Sequence, residues 1–147
     1  MTQPQRRALY TLVIWGIVAL IFVALFLWGD GPSTWALYDD WRPKAAALVL
    51  LAGFIAFWMT LHATRSRRGG QDERDALIQA KACAVALVAV MAYVFLASIG
   101  LYVRYESQST VPVGWLWFLA YTTFLLGWIV GSAASLYYYH VGLKNHA

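Results

Sequence analysis

The chain has 147 residues, of which 61% are hydrophobic and 16% aromatic, while only 12% are charged and the formal net charge is +4. A soluble domain of this length carries roughly a quarter of its residues as charges, so the composition excludes an ordinary water-soluble fold. On so apolar a chain a small positive excess reads as a topology signal, and no direct nucleic-acid partner is expected.

Four segments, 8–28, 45–61, 82–103 and 113–139, contain no Asp, Glu, Lys or Arg. Each is near or above the roughly 17–25 residues a helix needs to cross about 30 Å of hydrocarbon. The expected fold is all-α, an integral membrane four-helix bundle of two helical hairpins forming a single domain. Its spans cover about 8–28, 45–63, 80–103 and 113–139, with an outer loop at 29–44 and a cytoplasmic loop at 64–79. Runs such as "ALVLLAGFIAF" lack the alternation a transmembrane β-barrel requires. Segment 8–28 is also longer than the about 7–15 apolar residues of a signal-peptide core, so it is read as the first span.

Orientation follows from Lys and Arg, which favour short cytoplasmic loops. Arg6, Arg7, Arg65, Arg67, Arg68, Arg74, Lys81 and Lys144 fall on the side of the termini, against Arg42, Lys44 and Arg104 on the other. Both termini are therefore expected in the cytoplasm, in a bacterial inner membrane with the lipid bilayer as the chain's first partner.

The outer loop, "GDGPSTWALYDDWRPK", opens on a Gly-Asp-Gly-Pro turn signal and then offers Trp35, Leu37, Tyr38 and Trp41. Together with Trp28, Tyr102, Tyr105, Trp115 and Trp117 these aromatics suit the headgroup zone. The competing reading is an aromatic mouth with Asp30, Asp39, Asp40 and Glu106 that admits a cationic or apolar solute to a small transporter or channel. Pro43 stands at a first-turn position of the second span, where proline is tolerated.

Between spans two and three lies the most charged stretch, "TRSRRGGQDERDALIQAKA". Gly69-Gly70 breaks the chain after the arginines, Asp72 is placed to cap the third helix, and Glu73 and Asp75 fall in its first turn, where the helix dipole favours acids. Topology needs only the positive residues, so the ordered "DERD" block followed by "ALIQAKA" points to a helical extension able to dock a cytoplasmic protein. The expected partner-binding residues are Arg65, Arg67, Arg68 and Asp72, continuing into Glu73, Arg74 and Asp75. Arg74, Ile78 and Lys81 are expected on one face, with Lys81 snorkelling toward the headgroups. Cys83, the only cysteine, precludes an intramolecular disulfide and is expected to be a small buried apolar residue.

The fourth span contains "GWIVGSAAS", which puts Gly127, Gly131 and Ser135 on one face as a small-xxx-small packing stripe. The stripe fits another helix of the chain or a second copy in a homodimer. Intramembrane polar groups are limited to hydroxyls such as Thr11, Ser98, Thr122, Thr123 and Ser132, which suit helix–helix contacts. No embedded carboxylate, phosphate-binding loop or catalytic triad can be assembled, so an enzyme is not expected. His62 and His140 stand near the inner ends of spans two and four and are the candidates for a haem or metal in the further alternative, a haem- or quinone-linked membrane redox subunit. Without a second pair they fit interfacial side chains better, and no cofactor or metal is expected.

The run "DERDALIQAKA", in which Asp72-Glu73-Arg74-Asp75, Ile78 and Lys81-Ala82 lead straight into a span, resembles a motif of small prokaryotic four-helix membrane proteins of unknown function. The resemblance implies the four-span plan but no activity. Such proteins are thought to be encoded beside small helix-turn-helix regulators, which implies a membrane inhibitor or signalling partner. The leading expectation is thus a non-catalytic regulatory or interaction subunit.

Overall fold

The structure, a computed structural model, describes residues 3–28, 31, 35, 41–63, 73–108 and 110–141. Four long helices account for nearly all of these: α1 (Gln3–Leu27), α2 (Trp41–Ala63), α3 (Glu73–Tyr105) and α4 (Val113–Val141), with a short 3-10 turn at Glu106–Gln108. All four are long and apolar enough to cross a membrane. At 1.5 Å per residue α3 is about 50 Å long and α4 about 44 Å, so both exceed a roughly 30 Å hydrocarbon core.

α1 packs against α2 and α4, and α4 packs against α3, so the helices are ordered α2–α1–α4–α3. Among the described residues α2 and α3 share no comparable interface. The starts of α1 and α3 and the ends of α2 and α4 lie at one end of the bundle, here the termini end, since Gln3, Leu61, Asp75 and Tyr139 surround one cavity.

Helices in lipid gain little from simple apolar contact, because acyl chains are as apolar as leucine, and association relies on close packing and hydrogen bonds. The core reflects this. α1 turns Thr11, Trp15, Val18, Phe22 and Phe26 inward at helical spacing, while its Ile17, Leu20 and Val23 face outward. Trp15, 0% exposed, lies edge-on to Phe54 and to Phe124 at 5.2 Å and stacks on Trp128 at 5.8 Å. Nearer the far end Phe22 stacks on Tyr121 at 5.1 Å, and Phe26 meets Phe118 at 3.9 Å. Such ring pairs contribute about 0.5–1.5 kcal/mol each beyond the area they bury. The buried indole nitrogens of Trp15 and Trp35 have no hydrogen-bond partner among the described residues, so both rings contribute through shape.

Three devices set the remaining contacts. Gly53 of α2 lets that helix approach α1 so closely that a Cβ there would stand 2.8 Å from Val18 Cγ2 and 3.3 Å from Trp15 Cζ3. Between α3 and α4, Tyr93 and Thr122 share a 2.5 Å hydroxyl hydrogen bond, and Thr122 also donates to the Phe118 carbonyl at 2.7 Å. At the far end Arg42 donates to the Trp28 carbonyl at 2.6 Å, tying the start of α2 to the end of α1.

The aromatic zone at the far end divides in two. Trp28, Trp41, Tyr102 and Trp117 face outward, as an interfacial belt requires. Trp35 is 4% exposed, packed on Phe22 and Phe26, and the Trp115 indole donates to the Tyr105 hydroxyl at 2.5 Å while its ring meets Phe26. The expectation that Trp35 belongs to the belt is corrected here: its ring packs on Phe22 and Phe26 inside the bundle, while Trp115 and Tyr105 are half-buried and bonded to each other.

Candidate functional site

The charged start of α3 has two faces with different roles. Asp75, Ile78 and Ala82 recur at a helical spacing of three and four. Ile78 is 0% exposed, Ala82 is buried, and the Asp75 carboxylate accepts a hydrogen bond from the Tyr139 hydroxyl of α4 at 3.0 Å. The start of α3 is thus fixed to the end of α4, which gives the extra length of both helices a physical reason. Arg74 and Leu77 point outward and Lys81 is half-buried, so 74, 77 and 81 form an outer stripe of two cations around an apolar side chain. The expected grouping of Arg74, Ile78 and Lys81 on one face is corrected: Ile78 is drawn into the α3–α4 contact.

Of the expected partner-binding residues, Glu73 and Arg74 are exposed, Asp75 is turned toward α4, and Arg65, Arg67, Arg68 and Asp72 lie outside the described residues. The small-residue stripe of α4 meets α3 of the same chain: a Cβ at Gly127 would lie 3.5 Å from Val90, and one at Gly131 would lie 3.5 Å from the Ala86 Cβ. These are ordinary contact distances, looser than the approach at Gly53. His62 is exposed, its ring 4.7 Å from that of Trp58, and His140 is exposed as well. Among the described residues no three His, Cys, Asp or Glu side chains gather as metal ligands. In the outer loop Trp35 is buried in the core and Trp41 is exposed, while Asp30, Tyr38, Asp39 and Asp40 lie outside the described residues. Glu106 accepts a hydrogen bond from Tyr102 at 3.2 Å.

Below the aromatic core the bundle opens into a cavity of about 770 Å³ at the termini end. α1 and α4 form its floor, and α2 and α3 form its walls. Arg7, Asp75, Gln79 and Tyr139 stand at its outer end, Ser132 and Ser135 at middle depth on α4, and Phe57, Phe124 and Trp128 at its inner end. Cys83 lines it too and is exposed, which corrects the expectation of a buried thiol. The reason is helix phase, since Ala82 takes the inward position and leaves the next residue facing the opening.

Sequence reasoning missed this cavity because each lining residue has a complete local reading: Asp75 as a first-turn acid, the serines as packing residues, Arg7 as a topology marker. One signal was present. Ser132 and Ser135 stand beside the Gly127–Gly131 pair and share α4 with Thr122 and Thr123, so the hydroxyls of the membrane interior concentrate on that helix.

Four apolar helices, aromatic packing in the middle and a polar-mouthed cavity at one end define a polytopic α-helical membrane protein. Residues 8–141 match the family described as "Predicted membrane protein (DUF2178)", and the chain belongs to that family. No curated protein and no solved structure matches the chain.

Proposed function

We propose that the protein is a non-catalytic interaction or regulatory subunit of a bacterial inner membrane, with both termini in the cytoplasm, that engages a soluble protein through the start of α3. The observation that carries this reading is the two-faced extension. Its inner stripe is anchored by Ile78 and the Asp75–Tyr139 hydrogen bond, which holds Arg74, Leu77 and Lys81 on a helix that is ordered in advance of binding. Preorganisation of this kind reduces the entropy lost on association. Two cations flanking Leu77 fit a partner that presents an apolar side chain between acidic ones. The cytoplasmic placement is supported by the eight-to-three distribution of Lys and Arg in the sequence.

The test is a photo-reactive amino acid introduced at Leu77 of the full-length protein in native membranes. A discrete protein adduct that disappears in the Arg74→Glu/Lys81→Glu variant, while a probe at the lipid-facing Leu96 gives none, is the expected result. No adduct at Leu77, or one indifferent to charge reversal, refutes the docking role.

A further inference from the structure

The cavity at the termini end lies on the other face of α3 from the docking stripe, and its chemistry changes along its length. Measured on α4, the lining runs from Thr123 to Tyr139, which at 1.5 Å per residue is about 24 Å. That exceeds one leaflet's share, about half, of a roughly 30 Å hydrocarbon core and continues into the headgroup layer. Charged and amide groups gather at the outer end, and aromatic rings at the inner end. Its volume of about 770 Å³ lies within the roughly 300–1,000 Å³ typical of ligand clefts.

Two further observations point to an occupant. Ser132 and Ser135, 7% and 5% exposed, line the cavity at middle depth, so the little surface they keep opens into it. Their hydroxyls stand there as hydrogen-bond donors for a molecule in the cavity. α2 and α3 both line the cavity but share no substantial interface, so the side between them is the route that the helix order leaves from the bilayer. A molecule entering by this route comes from the bilayer and brings a polar head, linking oxygens and an apolar chain in the order in which the cavity presents their counterparts.

The mouth carries one side chain of each sign, Arg7 from α1 and Asp75 from α3. A carboxylate has about four acceptor positions, and Tyr139 occupies one of those of Asp75. We propose that this cleft binds one bilayer phospholipid with a zwitterionic primary-ammonium head. Asp75 receives the ammonium and Arg7 the phosphate, Ser132 and Ser135 donate to the ester oxygens, and one acyl chain lies against Phe124 and Trp128. The second chain remains in the bilayer on the side between α2 and α3.

The full-length protein is reconstituted in vesicles doped with phospholipids carrying a diazirine on one acyl chain, with ethanolamine, choline or glycerol heads in separate preparations. Adducts are mapped by mass spectrometry. With the ethanolamine probe, cavity residues such as Gly127 and Ser132 are expected to label several-fold more than with the choline or glycerol probes, and Asp75→Asn abolishes that preference. Cys83→Trp and, independently, Ala86→Phe fill the cleft and remove cavity adducts, while labelling of the lipid-facing Leu87 and Val88 stays unchanged. Equal cavity labelling by all three heads, a preference for the anionic glycerol head, or cavity adducts that survive both filling variants overturns the proposal.

Discussion

Gly53→Ala is the sharpest probe of the helix order. The added methyl would lie 2.8 Å from Val18 Cγ2 and 3.3 Å from Trp15 Cζ3, against the about 3.5–4.0 Å at which carbon atoms rest in contact. Neither neighbour yields easily. Val18 is buried and, as a β-branched residue in a helix, is held to one χ1 rotamer, while Trp15 is wedged among Phe54, Phe124 and Trp128. Overpacking of this kind costs about 1–3 kcal/mol, and the helix-propensity gain of Gly→Ala returns at most about 1 kcal/mol. The net expectation is a destabilisation of about 1–2 kcal/mol. Val18→Ala removes the blocking methyl, so the double variant should be more stable than the sum of the single effects by about 1–2 kcal/mol, a coupling usual for residues in contact. The assay is unfolding of the protein in mild detergent by titration with a denaturing detergent. It is followed by near-ultraviolet circular dichroism of the tryptophans, because the helices themselves keep their internal hydrogen bonds in detergent and report little. A neutral Gly53→Ala, or strictly additive effects, would refute the close approach of α2 to α1.

The α4 glycines should behave oppositely. A Cβ at Gly127 or Gly131 meets α3 at 3.5 Å, so alanine at either position is expected to be neutral or to stabilise by up to about 1 kcal/mol in the same titration. A loss at these positions comparable to that of Gly53→Ala would contradict the α3–α4 geometry. Tyr139→Phe removes the hydroxyl that bonds Asp75, at a cost of about 1 kcal/mol for this half-exposed pair. Hydrogen exchange should quicken over residues 73–82 and stay unchanged over 88–100. Uniform exchange across α3 would show that the hydrogen bond does not anchor the extension.

The number, type and approximate limits of the helices were legible because bilayer insertion imposes them: an uncharged run of sufficient length has no other stable state. Which face of each helix turns inward was not. In water an amphipathic stripe separates core from surface, but in lipid both sides of α1 are apolar, and inward Val18 and outward Ile17 are both aliphatic. The inward face of α1 is marked by bulk instead, since the spacing of Trp15, Phe22 and Phe26 puts large aromatics on one side. The approach of α2 was hidden because Gly53 has no second glycine four residues away. Its partner in the pattern is Ala46, seven residues earlier and also buried. The Gly127–Gly131 stripe matches a known packing motif, yet the tightest contact lies elsewhere, because closeness depends on the side chain opposite as well as on the glycine. Of the cavity, only the concentration of hydroxyls on α4 was visible. The meeting of Asp75 with Tyr139 joins residues far apart in sequence and is a product of the fold.

The structure also adds to how the charge distribution is read. Of the three cations opposite the termini, Arg42 is engaged with the Trp28 carbonyl at the end of α1, and Arg104 lies in the last turn of α3, where the helix dipole favours positive charge. Both have local reasons to be there that are independent of membrane orientation. Their charges still count toward orientation, so the eight-to-three distribution stands as the sequence has it. The same end carries the cavity mouth and the outer stripe of α3, and Asp75 faces the first while its neighbour Arg74 belongs to the second. A molecule bound at Asp75 therefore acts on the residue that, through Tyr139, fixes the helix presenting Arg74 and Leu77. The cleft and the docking face are joined by one turn of helix, and occupancy of one would tune the rigidity of the other.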